Sequence, residues 1–206
     1  NCIGFAEFRF YNVFDFGMTQ FLKLRFFLFN LIALIGVGSS LTAQSFQNPL
    51  LDSGADPFSV YVDGYYYYTH TTGNRVVLWK TKNLANLREA ESKTIWTPPQ
   101  GTMYSKNIWA PEIHYINNTW YVYVAADNGT NENHRMYVLQ NTSANPLNDQ
   151  WEFKGKLAAP SDKWAIDGNV FEYNNQLYMA WSGWEGDSNG QQDLFIAKMR
   201  DPLTIS

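Results

Sequence analysis

One unit recurs three times along the chain and limits what it can fold into. The unit is an acidic residue, a short apolar strand pattern, a two-residue turn and a second, aromatic strand pattern. It reads "FSVYV-DG-YYYYTH" after Asp56, "EIHYI-NN-TWYVYVAA" from Glu112 and "NVFEY-NN-QLYMAWS" after Asp167. Asp-Gly and Asn-Asn supply the positive φ angles that a two-residue hairpin turn demands. Each hairpin is followed by a polar loop and a third strand pattern: "RVVLWKTK", "HRMYVLQN" and "DLFIAKM". Each third strand runs towards a similar turn, at Asn83-Leu84, Pro146-Leu147 and Pro202-Leu203. The acids precede the second-strand residues Tyr66, Tyr121 and Tyr178 by 10, 9 and 11 positions, and are themselves separated by 56 and 55. Antiparallel repeats of this length predict an all-β chain of β-propeller blades, whose innermost strands start near a central axis. One acid per blade then converges on one end of that axis.

Composition agrees with this class and excludes others. Aromatic residues make up 17% of the chain, as do charged ones, as expected of a β-rich globular domain. The net charge is −4 and the 15 Lys and Arg are scattered, so nucleic acid is not an expected partner.

The N-terminal part is set apart from the repeats. Residues 1–17 precede a credible start and read as upstream translated sequence. Residues 18–43 read as a secretory signal peptide: Lys23 and Arg25, an apolar run from Phe26 to Val37, then small residues up to Ala43. About 12 apolar residues are too few to span a bilayer, which needs about 20, so no stable membrane insertion is expected after cleavage. The predicted product, residues 44–206, is secreted or periplasmic. Cys2 is the only cysteine and lies upstream of the cut, so the core alone must hold the fold.

The loops "HTTGN", "DNGTNENH" and "GWEGDSNGQQ" connect second to third strands and return to the end where the acids sit. Amides and hydroxyls beside aromatic faces suit a sugar ring, which has polar edges and C–H faces. Several residues have more ordinary roles. The tyrosines Tyr65 to Tyr68 alternate between faces and are mostly core. His70 and His134 are expected as hydrogen-bonding rim residues rather than metal ligands, and His114 packs. Trp184 either stacks on a sugar or wedges between blades.

"GADPF", "NIWAPEIHY" and "WAIDGNVFEYNNQLYMAWSG" resemble the first three blades of glycoside hydrolase family 43, five-bladed propellers that remove arabinose or xylose from plant polysaccharides. "THTTGN", "YSKNIWAPE" and "NENHRMYV" look most like its exo-acting α-L-arabinofuranosidases. The resemblance implies that Asp56 is the general base and that Asp167 orients the general acid and raises its pKa. It also implies that Glu112, Trp109, Asn107 and Trp184 contact substrate. The expected partner is a cell-wall polysaccharide or an arabino- or xylo-oligosaccharide. No cofactor is implied, although some relatives hold a calcium ion on the axis, with ligands expected in blades four and five. The acid itself, a glutamate opening the fourth blade, is expected about one period past Asp167, beyond Ser206. The resemblance therefore makes this a truncated chain of three blades, expected to be poorly stable and inactive alone. A non-catalytic propeller that only binds glycans is the competing reading.

Overall fold

The computed structural model describes residues 47–148, 150–188 and 191–206. The expected upstream segment and signal peptide lie outside the described residues.

The chain forms three four-stranded antiparallel sheets, each strand pairing with the next in sequence. The first contains β1 (Phe58–Val62), β2 (Tyr65–Thr69), β3 (Val76–Thr81) and β4 (Glu91–Trp96). The second contains β5 (Lys106–Ile116), β6 (Thr119–Asp127), β7 (Arg135–Asn141) and β8 (Glu152–Leu157). The third contains β9 (Ala165–Tyr173), β10 (Gln176–Gly183), β11 (Asp193–Asp201) and β12 (Thr204–Ile205). The recurrence in sequence is thus a recurrence of blades. The outermost strands β4, β8 and β12 were not legible as part of it, because "ESKTIW" and "EFKGKL" alternate with charge and only two residues form β12.

The inner hairpins close as the turn residues predict. Val62 pairs with Tyr65, Ile116 with Thr119 and Tyr173 with Gln176. All six turn residues, from Asp63 and Gly64 to Asn174 and Asn175, have positive φ between 49° and 83°. Such turns match the twist of the strands they join.

The second blade is packed on both sides. Val122 and Val124 of β6 point with Ile113 and Trp120 into a cluster shared with Val76 and Leu78 of the first blade. Tyr123 and Ala125 alternate to the other face and meet Val170, Met179, Met199 and Ile205 of the third. This explains why β6 is apolar at nearly every position: the period-2 alternation separates two apolar environments rather than core from water. The outer face of the third blade is uncovered, with Leu194 at 82% and Ile196 at 64% exposure.

Backbone bonds also join neighbouring blades. Gly73 of the β2–β3 loop exchanges two hydrogen bonds with Ile108 on β5, at 3.2 and 3.0 Å. The amide of Ala165 on β9 donates to the carbonyl of His134, at 3.3 Å. These links tie the inner strands β5 and β9 to the blade before them.

Candidate active site

Asp56 lies in the exposed approach to β1, with φ +52°; Asp167 occupies the matching position on β9, with φ +54°. A left-handed backbone is uncommon for a residue with a side chain, and such conformers concentrate where the surroundings hold a group in place for function. Glu112 belongs to β5, two residues after Ala110, whose φ is +41°. Each of the three acids is thus itself in the left-handed region or within two residues of one that is.

Asp167 feels the charges of the other two acids. Although the residue is exposed at the surface, loss of water around its carboxyl holds it above the usual aspartate range, and the negative charges of Asp56 and then Glu112 push it further, while His134 opposes them. Like charges at close range and loss of water both disfavour the carboxylate, so the causes add. The Asp167 carboxyl is thus the one that senses the charges of the acids on the other two blades.

Two of the acids are also tied to the next blade. The Thr71 hydroxyl donates to Asp56 Oδ2 at 2.6 Å and accepts from the Ala110 amide at 2.6 Å, tying the acid of the first blade to the inner strand of the second. Asn169 Nδ2 on β9 donates to Glu112 Oε2 at 2.7 Å, tying the second blade to the third. His114 Nε2 lies 3.3 Å from the same oxygen. Thr71 and Asn169 were not singled out from the sequence. Their only signal was position: Thr71 lies in a loop expected at the pocket, and Asn169 two residues beyond an expected site residue.

Asn107 and Trp109 sit on a buried scaffold beneath this layer. Asn107 Nδ2 donates to both oxygens of Asp127 at 3.0 Å, and the Gly129 amide donates to Oδ1 at 2.8 Å. His134 Nδ1 lies 3.1 Å from Asp127 Oδ2, and both side chains are wholly buried. Trp109 stacks on the His134 ring at 4.2 Å, and Trp164 stacks on Trp184 at 4.6 Å and 8°.

This geometry revises two expectations. His70 and His134 are not rim residues: they are 2% and 0% exposed, because Trp79 and Trp109 cover their rings. Trp184 is 3% exposed, with its face closed against Trp164, the residue before β9 of the same blade, rather than open as a platform. Among the described residues no group of three or more His, Cys, Asp or Glu side chains is placed to hold a metal ion.

Three four-stranded antiparallel sheets of consecutive strands, packed one on the next, define a β-propeller fold. The chain belongs to glycosyl hydrolases family 43, whose sequence profile matches residues 46–206. It is 38% identical over 186 residues to an extracellular exo-α-(1→5)-L-arabinofuranosidase of Streptomyces avermitilis, covering 85% of this chain and 39% of that protein. It is 35% identical to α-L-arabinofuranosidase 43 of Humicola insolens, over 79% of this chain and 35% of that one. Among solved structures, an α-L-arabinofuranosidase from Lactobacillus brevis superposes with a TM-score of 0.73 at 35% identity, covering 81% of this chain and 55% of that one. The chain thus spans between about a third and just over half of the length of these three relatives.

Proposed function

We propose that this chain supplies the base-bearing part of an exported, exo-acting α-L-arabinofuranosidase that removes terminal arabinofuranosyl groups from arabinan or hemicellulose with inversion. The observation that supports it best is the acid set: three carboxyls from three blades, with Asp167 raised first by loss of water and then by the charges of Asp56 and Glu112. The names of the relatives point to the same linkage class.

In this reading Asp56 is the general base. Thr71 holds its Oδ2, which leaves Oδ1 to accept a proton from water as the water oxygen attacks the anomeric carbon. The glycosidic C–O bond breaks, and a carboxylic acid delivers its proton to the leaving oxygen. An inverting pair needs about 6.5 to 9.5 Å between base and acid so that the water fits, a spacing that groups on different blades can meet. Asp167 is assigned the modulating role: its charge keeps the acid protonated and orients it. The acid is expected on a further blade, as is any structural calcium. Glu112, Asn107 and Trp109 shape the sugar-binding side, with Trp184 supporting from below.

The test is the full-length protein carrying Asp56→Asn, assayed on nitrophenyl arabinofuranoside. Loss of a general base should lower kcat by about 10² to 10⁴ while KM stays within a few-fold. Retained kcat removes Asp56 from the mechanism, whereas a full-length parent protein that binds arabinan but turns over none of the substrates is the glycan-binding propeller. Nitrophenyl xyloside and linear arabinan, run alongside, decide between arabinosyl and xylosyl specificity and between exo and endo action.

A further inference from the structure

Away from the acids, a cleft of about 440 Å³ is lined by the approach to β5 and by β7 and β8. Its wall is aromatic. The half-buried rings of Tyr104 and Phe153 lie 4.4 Å apart at 25°, and Phe153 is parallel to Trp96 of β4 at 5.6 Å. Its polar side is charged. Asp162 receives both Arg135 Nε, at 3.1 Å, and Lys156 Nζ. Two cations share one carboxylate, so the lining carries one net positive charge in a chain of net charge −4.

The combination depends on an irregularity in the outer strand. Pairing between β7 and β8 passes from Val138↔Gly155 to Leu139↔Phe153, which leaves Lys154 as an extra residue. Gly155 has φ +98° at this point, open to glycine at no steric cost. In a regular strand Phe153 and Lys156 would face opposite sides; the bulge turns both into the cleft. Bulges of this kind re-aim side chains beside binding sites.

We propose that this cleft is an accessory glycan site that takes a carboxylate-bearing sugar, a uronate unit of the polysaccharide. The C–H face of the ring lies on the aromatic wall. The ring carboxylate accepts charge-assisted hydrogen bonds from Lys156 and Arg135, balancing the charge that Asp162 alone leaves over. A free phosphate would use the cations but not the wall, and a neutral pentose the wall but not the cations. The loop between β6 and β7 serves both places, since Asp127 and His134 anchor Asn107 while Asn133 and Arg135 line the cleft. The inference rests on the reading of the chain as part of a glycan hydrolase.

The test uses full-length protein with Asp56→Asn, so that nothing turns over, titrated calorimetrically with trigalacturonate and with arabinotriose. Trigalacturonate should bind saturably, and Lys156→Gln should weaken it about fivefold while leaving arabinotriose binding unchanged. Lys154→Gln, which removes a neighbouring charge outside the cleft, should change neither by as much as twofold. Equal trigalacturonate affinity in the parent and Lys156→Gln proteins, or equal weakening by Lys154→Gln, overturns the site. Failure of trigalacturonate alone to bind also overturns it but leaves the hydrolase reading intact, whereas failure of both sugars overturns the two together.

Discussion

Thr71 offers the sharpest perturbation of the acid set. Thr71→Val keeps the branched shape and removes only the hydroxyl, which donates to Asp56 and accepts from the Ala110 amide. The two lost bonds differ in weight. Asp56 is solvent-exposed, so water replaces its donor and little stability is lost there. Ala110 is 6% exposed, and an unpaired amide at such a site costs about 1–3 kcal/mol. The substitution should therefore destabilise by about 1–3 kcal/mol, nearly all of it from the second blade. The rate should respond in the opposite proportion. Without its anchor the Asp56 carboxylate explores several rotamers, and a misplacement near 1 Å is worth about 10²-fold, so kcat should fall about 10- to 100-fold. Thr71→Ser retains both bonds and should recover most of kcat. Urea unfolding gives the first quantity, and steady-state assay of the full-length protein the second. If Thr71→Val kept kcat within twofold, or if Thr71→Ser failed as badly as valine, the hydroxyl would not be what positions Asp56.

Three further substitutions probe the surrounding scaffold. Asp167→Asn should stabilise the protein at pH 7 and do nothing near pH 3. The native carboxyl holds its proton to higher pH than the unfolded chain, so the penalty is absent below the unfolded aspartate range and appears as pH rises through the raised native value; urea midpoints at the two pH values measure it, and asparagine tolerates the left-handed backbone there. Asp127→Ala should cost about 3–5 kcal/mol, because it strips Asn107, Gly129 and wholly buried His134 of a shared acceptor; thermal or urea unfolding reads this directly. Gly168→Ala should cost about 1 kcal/mol by overpacking, since the new Cβ would come within 2.3 Å of Met179 Cε and 2.7 Å of Met136 Cε, the flexible ends of two buried side chains that can shift towards the small cavity they line; the same unfolding assay applies.

The inner half of each blade was legible in the sequence because the signals there are local. A two-residue turn of Asp-Gly or Asn-Asn needs only its own backbone preferences, and the observed register agrees at all three hairpins. The outer strands were not legible because they depend on partners. "EFKGKL" reads as a charged loop until β7 offers it a ladder, and its bulge at Gly155 breaks the alternation that would have marked it as a strand. The histidines failed for a related reason. A histidine in a polar loop reads as a rim residue, and only the ring of Trp109 laid over His134, or Trp79 over His70, takes it out of water.

For the site, the spacing of 56 and 55 residues marks three carboxyls at equivalent positions but not what holds them. A period identifies equivalent positions in successive blades, whereas the groups that fix an acid lie at non-equivalent positions, in a loop of its own blade for Asp56 and on the next blade for Glu112. Thr71 reaches Asp56 from 15 residues away and Ala110 from 39; Asn169 reaches Glu112 from 57. These bonds follow from the rotation between neighbouring sheets, which the linear pattern does not encode. The consequence is that the acids and the blade interfaces are one structure. A change that loosens the first blade against the second shifts Asp56 through Thr71, and one that loosens the second against the third shifts Glu112 through Asn169. Stability and rate should therefore fall together for substitutions at these boundaries, and separately for substitutions in the outer strands, where β8 and its bulge touch neither bond.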